Sequence, residues 1–187
     1  SEAYAKRYQT FIQKVQLVDE TLEKSTLSEA VARSLYKLMA YKDEYEVARL
    51  YTQPEFMERI ANNFEGNYKV YFHLAPPIIS KHNNKGELIK QKYGSTMLTL
   101  FKLLVHFKGL RGTAFDIFGR SKERQTERAL IDEYMLHIEN VLQDLNVNNY
   151  AYALQVANVP DIIKGFGHVK DRNIRAARSM WMSLAQK

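Results

Sequence analysis

The stretch from Met97 to Phe107 constrains this chain most, because Met97, Leu98, Leu100, Phe101, Leu103, Leu104, Val105 and Phe107 leave a helix almost no wet face. A helix that is apolar nearly all round has to be buried on most sides. The spacing therefore predicts a helix capped by Ser95, lying at the centre of the core with other helices around it. Lys102 and His106 interrupt the run, which is also far too short to cross a bilayer.

This helix leads into a shaped connector, Lys108 to Ser121, which holds three of the eight glycines. Leu110, Phe115, Ile117 and Phe118 are too apolar for a solvated linker, so the loop is expected to fold back on the core. Lys108, Arg111, Asp116 and Arg120 are then expected at its surface. Two readings stay open: an Arg-to-Asp ion pair that pins a packed loop, or a binding site for an anion or partner using Lys108, Arg111 and Arg120.

Ser121 can cap a charged helix from Lys122 to about Leu145, with Leu130, Tyr134, Ile138, Val141 and Leu145 as its stripe. Its first turns, Lys122 to Arg128, are expected to project past the core and be solvated or meet another protein. Earlier in the chain, Tyr4, Tyr8, Phe11, Val15, Val18 and Leu22 form one helical seam. Thr26 with Glu29 has the spacing of a capping box and should start a helix running without Gly or Pro to Tyr51, with Asp43, Glu44 and Glu46 on wet faces. Thr52, Pro54 and Glu55 start another, which ends near Phe64 before Gly66. From Tyr68 to Leu74 the period changes to two, and Asn83-Asn84-Lys85-Gly86 leads to a return strand, Glu87 to Tyr93. His73 and His82 flank this hairpin without partners at ligand spacing. A short helix is expected over Tyr150 to Asn158. A terminal helix comes last, with Ile174, Ala177, Trp181 and Leu184 on its inner face.

The loop Gly165 to Asn173 precedes that last helix. It reads either as an anion site, with His168, Lys170 and Arg172 reinforcing backbone N–H groups, or as a glycine turn with an Asp171 helix cap. It lacks the full dinucleotide fingerprint and the P-loop ending. The fold class expected from all this is mainly α, a multi-helix bundle around a buried central helix with a small antiparallel β-hairpin. One domain over 1–187 is expected, since a chain of this length with 45% hydrophobic residues buries a core unaided.

Composition excludes several chemistries. With no cysteine, the chain has no disulfide, thiolate zinc site, cysteine nucleophile or cysteine-held iron–sulfur cluster of its own. There is no Gly-x-Ser-x-Gly elbow and no His-Glu-x-x-His helix. The net charge of +6 invites nucleic acid, but acids are interleaved with bases and a mixed solvated surface accounts for it. Neither nucleic acid nor a membrane is expected as a partner, and the expected compartment is the cytoplasm. The start at Ser1 rather than Met suggests a piece of something longer.

Four blocks taken together resemble one family: Met39-Ala40-Tyr41-Lys42-Asp43-Glu44-Tyr45-Glu46-Val47-Ala48-Arg49-Leu50-Tyr51, Phe72-His73-Leu74-Ala75-Pro76-Pro77, the Lys108–Ser121 loop and Gly165–Asn173. In this order they look like the carboxy-terminal domain of the fused indolepyruvate ferredoxin oxidoreductases. The resemblance implies a parent enzyme that oxidatively decarboxylates aryl 2-oxo acids with thiamine diphosphate, coenzyme A and iron–sulfur clusters and reduces ferredoxin. It implies no cofactor and no catalytic residue in this fragment, since the thiamine motif and cluster cysteines lie in other domains. The expected role is an accessory domain packing against other domains or subunits of that parent. The contact candidates are Lys108, Arg111, Arg120, His168, Lys170 and Arg172, and Arg111→Glu or Arg120→Glu should disturb assembly without unfolding the fragment. The alternatives are an anion-binding module for a phosphate-bearing ligand such as coenzyme A, and a nucleic-acid-binding helical domain.

Overall fold

The computed structural model describes residues 2–74, 89–111 and 113–186, and they are mainly α-helical with one two-stranded antiparallel sheet. The helices are α1 (Glu2–Glu20), α2 (Thr26–Met39), α3 (Glu44–Thr52), α4 (Pro54–Asn63), α5 (Thr96–His106), α6 (Lys122–Gln143), α7 (Tyr150–Asn158) and α8 (Gly167–Leu184). Strands β1 (Phe72–Leu74) and β2 (Gln91–Tyr93) pair with Phe72 opposite Tyr93 and Leu74 opposite Gln91. No described helix is long and apolar enough to cross a membrane. Two compact units are distinguished: unit 1 is Ser1–Tyr41 with Thr126–Lys187, and unit 2 is Lys42–Gln125.

Unit 1 is built on α2, which packs on α1 and α7. Its core joins Phe11 and Val15 of α1, Leu27, Val31 and Leu35 of α2, Leu130, Tyr134 and Ile138 of α6, and Ile174, Ala177, Trp181 and Leu184 of α8. The face expected for the last helix is thus the buried one. Trp181 donates its indole N–H to the Val156 carbonyl at 3.2 Å and stacks on His137, with ring centroids 4.6 Å apart.

The start of α2 differs from the expected Thr26 capping box. Ser25 is the N-cap residue and its hydroxyl bonds the Glu29 carboxylate at 2.9 Å. The orphan N–H groups of the first turn find acceptors far away in sequence: Ser28 N donates to Asp19 Oδ2 at 2.9 Å, and Leu27 N to the Tyr150 hydroxyl at 2.9 Å. Asp19 is fully buried and also accepts from the Ser28 hydroxyl and the Tyr150 hydroxyl, both at 2.7 Å. One carboxylate thus ties α1, α2 and α7 together through donors that would otherwise be orphaned in the interior.

Unit 2 places α3 across α5, with α4 and the sheet beside them. Its core is aromatic: Tyr51 stacks on Phe101 at 5.5 Å, and Phe72 meets both rings edge-on. Offset and edge-on pairs of this kind add stability beyond the area they bury.

Three expectations are corrected by the fold. The helix expected to run unbroken from Thr26 to Tyr51 ends at Met39 and restarts at Glu44, because Asp43 accepts the Glu46 N–H at 2.8 Å and caps a new helix. The central helix is not buried on most sides: α5 buries Met97 and Phe101, while Leu100, Leu103 and Phe107 are 52%, 56% and 47% exposed. Apolar periodicity records which faces seek cover, not whether this chain supplies it. Among the described residues the hairpin pairing is shorter than the alternation suggested, with three residues paired on each strand. Its expected turn, Asn83 to Gly86, and Pro76, Pro77 and His82 lie outside the described residues.

Candidate functional site

The most built polar arrangement lies in unit 2, where three consecutive residues at the start of α3 each hold part of the 107–125 segment. Asp43 is buried and takes a two-pronged contact from Arg111, Nε to Oδ2 and Nη2 to Oδ1, both at 2.5 Å. Glu44 faces Arg124, with Nε 3.4 Å from Oε2. Tyr45 is buried edge-on against Phe118 at 5.3 Å, and its hydroxyl bonds the Asp116 carboxylate. Asp116, itself buried, also accepts the Gly119 N–H at 2.8 Å. A fork-shaped Arg–carboxylate contact fixes orientation as well as proximity, so the segment is pinned in register to a helix start. Burial and the neighbouring carboxylates raise the Tyr45 hydroxyl above its ordinary pKa.

Of the two readings of the loop, the pinning ion pair is the one present, and its acid is Asp43, which the sequence pattern places on a wet face. Asp43 with Glu46 three residues on is itself a capping signature, and that signal could have located the helix break. Asp116 was expected at the surface and is buried, whereas Phe115 and Ile117, expected inside, are exposed. The cause is local: turning Asp116 inward towards Tyr45 and the Gly119 N–H leaves its two chain neighbours outside. Gly109 has an ordinary φ and open space where a Cβ would stand, so nothing there demands glycine. The first turns of α6 are not wholly solvated either, since Arg124 is buried in unit 2 and Glu127 in unit 1.

Burial pushes the Glu44 carboxyl above its ordinary value, and the Arg124 guanidinium opposes that shift. A carboxyl whose folded pKa exceeds its unfolded one contributes stability that is fully present below pH 4.5 and is lost as pH rises through the folded pKa. Glu44→Gln is therefore expected to flatten the decline of stability as pH is raised from 4.5, read from urea midpoints across that range. An unchanged slope counts against this assignment.

The six contact candidates divide between the units. In unit 2, Arg111 is spent on Asp43, Arg120 donates to the Ala114 carbonyl inside its own loop, and Lys108 stands exposed on the 3₁₀ turn Phe107–Leu110 after α5. In unit 1, Lys170 pairs with the buried Glu127, while His168 and Arg172 are exposed. The Asp171 cap is corrected: α8 begins at Gly167 with Phe166 as N-cap residue, so Asp171 lies inside the helix and pairs with Arg175 at 2.5 Å. Gly165 is required, because at φ +91° a Cβ would lie 2.8 Å from Val169 Cγ1. Among the described residues no group of three or more His, Asp or Glu side chains could hold a metal ion.

Charge is less evenly spread than composition suggested. Unit 2 carries 14 Lys and Arg against 9 Asp and Glu, so it holds most of the net +6. Comparison with known proteins adds one finding: a family model described as a family of unknown function (DUF6537) matches residues 1–183. No curated protein and no solved structure matches the chain.

Proposed function

As a chain that belongs to the DUF6537 family over residues 1–183, the protein is, we propose, a non-catalytic accessory domain that docks against other domains or subunits of a larger enzyme. The parent we propose is a thiamine diphosphate-dependent indolepyruvate ferredoxin oxidoreductase, on the resemblance of the blocks at 39–51, 72–77, 108–121 and 165–173. Thiamine diphosphate and the iron–sulfur clusters are held elsewhere in that parent, which also contacts ferredoxin. One observation carries the docking role: two guanidinium groups of the 107–125 segment are already engaged, Arg111 on Asp43 and Arg124 on Glu44, while Leu100, Leu103, Phe107 and Phe115 are exposed on α5 and the segment after it. A site that handled an anionic ligand would reverse that arrangement, keeping its guanidinium groups for the ligand. Arg111 accordingly supports the fold, and Arg111→Glu would disturb the fragment itself, unlike the effect expected from sequence.

The test is complementation. The parent enzyme lacking this domain is expected to lose at least about tenfold in indolepyruvate-dependent ferredoxin reduction, roughly 1.4 kcal/mol or more in the barrier, with recovery when the separate domain is added. Full activity of the truncated parent, or turnover by the domain alone, sinks the reading.

A further inference from the structure

The outer face of α5 carries Leu100 and Leu103, and Phe107, the first residue of the 3₁₀ turn that follows, continues them at spacings of three and four, the rhythm of one seam of a helix pair. At 100° per residue these three positions fall within an arc of about 60°. Each is about half exposed, on a helix whose opposite face is anchored by the buried Met97 and Phe101. Thr99, Lys102 and His106 border the seam on one side, all exposed, and Lys108 stands just past its end. No Asp or Glu occurs between Leu88 and Phe115, while Lys90, Lys92, Lys102, Lys108 and Arg111 do.

We propose that this seam receives an acidic amphipathic helix of a partner, leucine-type side chains packing on Leu100, Leu103 and Phe107 and Glu or Asp side chains meeting Lys102 and Lys108. The proposal rests on the docking role and names its surface and partner chemistry. The charge pattern selects the occupant. A two-fold pairing of this face with a second copy would set like-charged lysines against each other along a seam whose own stretch of chain, Leu88 to Phe115, holds no acid. A lipid surface suits a broad apolar face, and this one is only a single seam wide. Single-stranded nucleic acid stacks on aromatic rings, whereas two of the three seam residues are leucines.

The experiment uses a labelled synthetic peptide of three heptads with Leu at the a and d positions and Glu flanking them, its counterpart with Lys in place of Glu, anionic phosphatidylglycerol vesicles and oligo-thymidylate. Fluorescence anisotropy is expected to show binding of the Glu peptide, weakening with salt, and little binding of the Lys peptide. Leu103→Asp and the pair Lys102→Glu, Lys108→Glu are each expected to weaken it roughly tenfold or more. These side chains are exposed, and unchanged circular dichroism melting confirms that the variants fold. Equal binding of both peptides, no loss in the variants, or vesicles or oligonucleotide bound through these residues in place of the peptide overturns the proposal. In the complementation assay, Leu103→Asp restoring activity as well as the unaltered domain defeats this surface while the accessory role stands. Failure of the unaltered domain to restore activity defeats both.

Discussion

Replacing Asp19 by alanine is expected to destabilise unit 1 by about 3–5 kcal/mol. Three donors converge on this carboxylate in the interior: Ser28 N, the Ser28 hydroxyl and the Tyr150 hydroxyl. Each buried donor left without an acceptor costs about 1–3 kcal/mol, and the sum falls short of additive because neighbours relax together. Asp19→Asn keeps the shape and one oxygen but turns an amide N–H₂ towards donors, so it should cost less than alanine without being neutral. Urea denaturation followed by circular dichroism measures both. A change below about 1 kcal/mol for alanine shows that the three helices are not held through this group.

Asp43→Ala is expected to cost about 2–4 kcal/mol in unit 2. Two losses combine: the N-cap bond to Glu46 N, worth about 1 kcal/mol, and the fork from Arg111. Breaking a fully buried pair costs about 3–5 kcal/mol, but the Arg111 side chain is 46% exposed, so the pair is worth less than that. A double-mutant cycle with Arg111→Ala separates the two. The cap contribution should persist when Arg111 is already gone, and the coupling energy should account for the rest. Additive single effects would mean that the fork adds nothing and the loop is held by packing alone.

Much of the architecture could be read from residue spacing, because local chemistry fixes it. The seam Ile174, Ala177, Trp181 and Leu184 is the buried face of α8, and Pro54 marks the start of α4 where a missing N–H does no harm. What could not be read depends on partners distant in the chain. Asp43 looks like one more surface acid until Arg111, 68 residues later, is seen on it, and Asp19 until Tyr150 is. Charged residues are ambiguous in sequence because burial and exposure both suit them, given a partner in one case and water in the other. The apolar run at α5 misled for the complementary reason. Its outer leucines have no cover within the described residues, so periodicity alone placed it too deep. Of the candidate contacts, Arg111 and Lys170 are paired with Asp43 and Glu127, whereas Lys108 stands exposed just past α5.

Trp181 is the sole tryptophan, and it sits in the core of unit 1 with its ring on His137. Indole emission therefore reports on one unit and is silent about the other, whose aromatic core holds only tyrosine and phenylalanine. With excitation at the red edge, where tyrosine does not absorb, a lesion in the Lys42–Gln125 unit becomes visible only when its unfolding spreads to the indole. Spectroscopically, the chain carries its own marker for whether its two units come apart together or in turn.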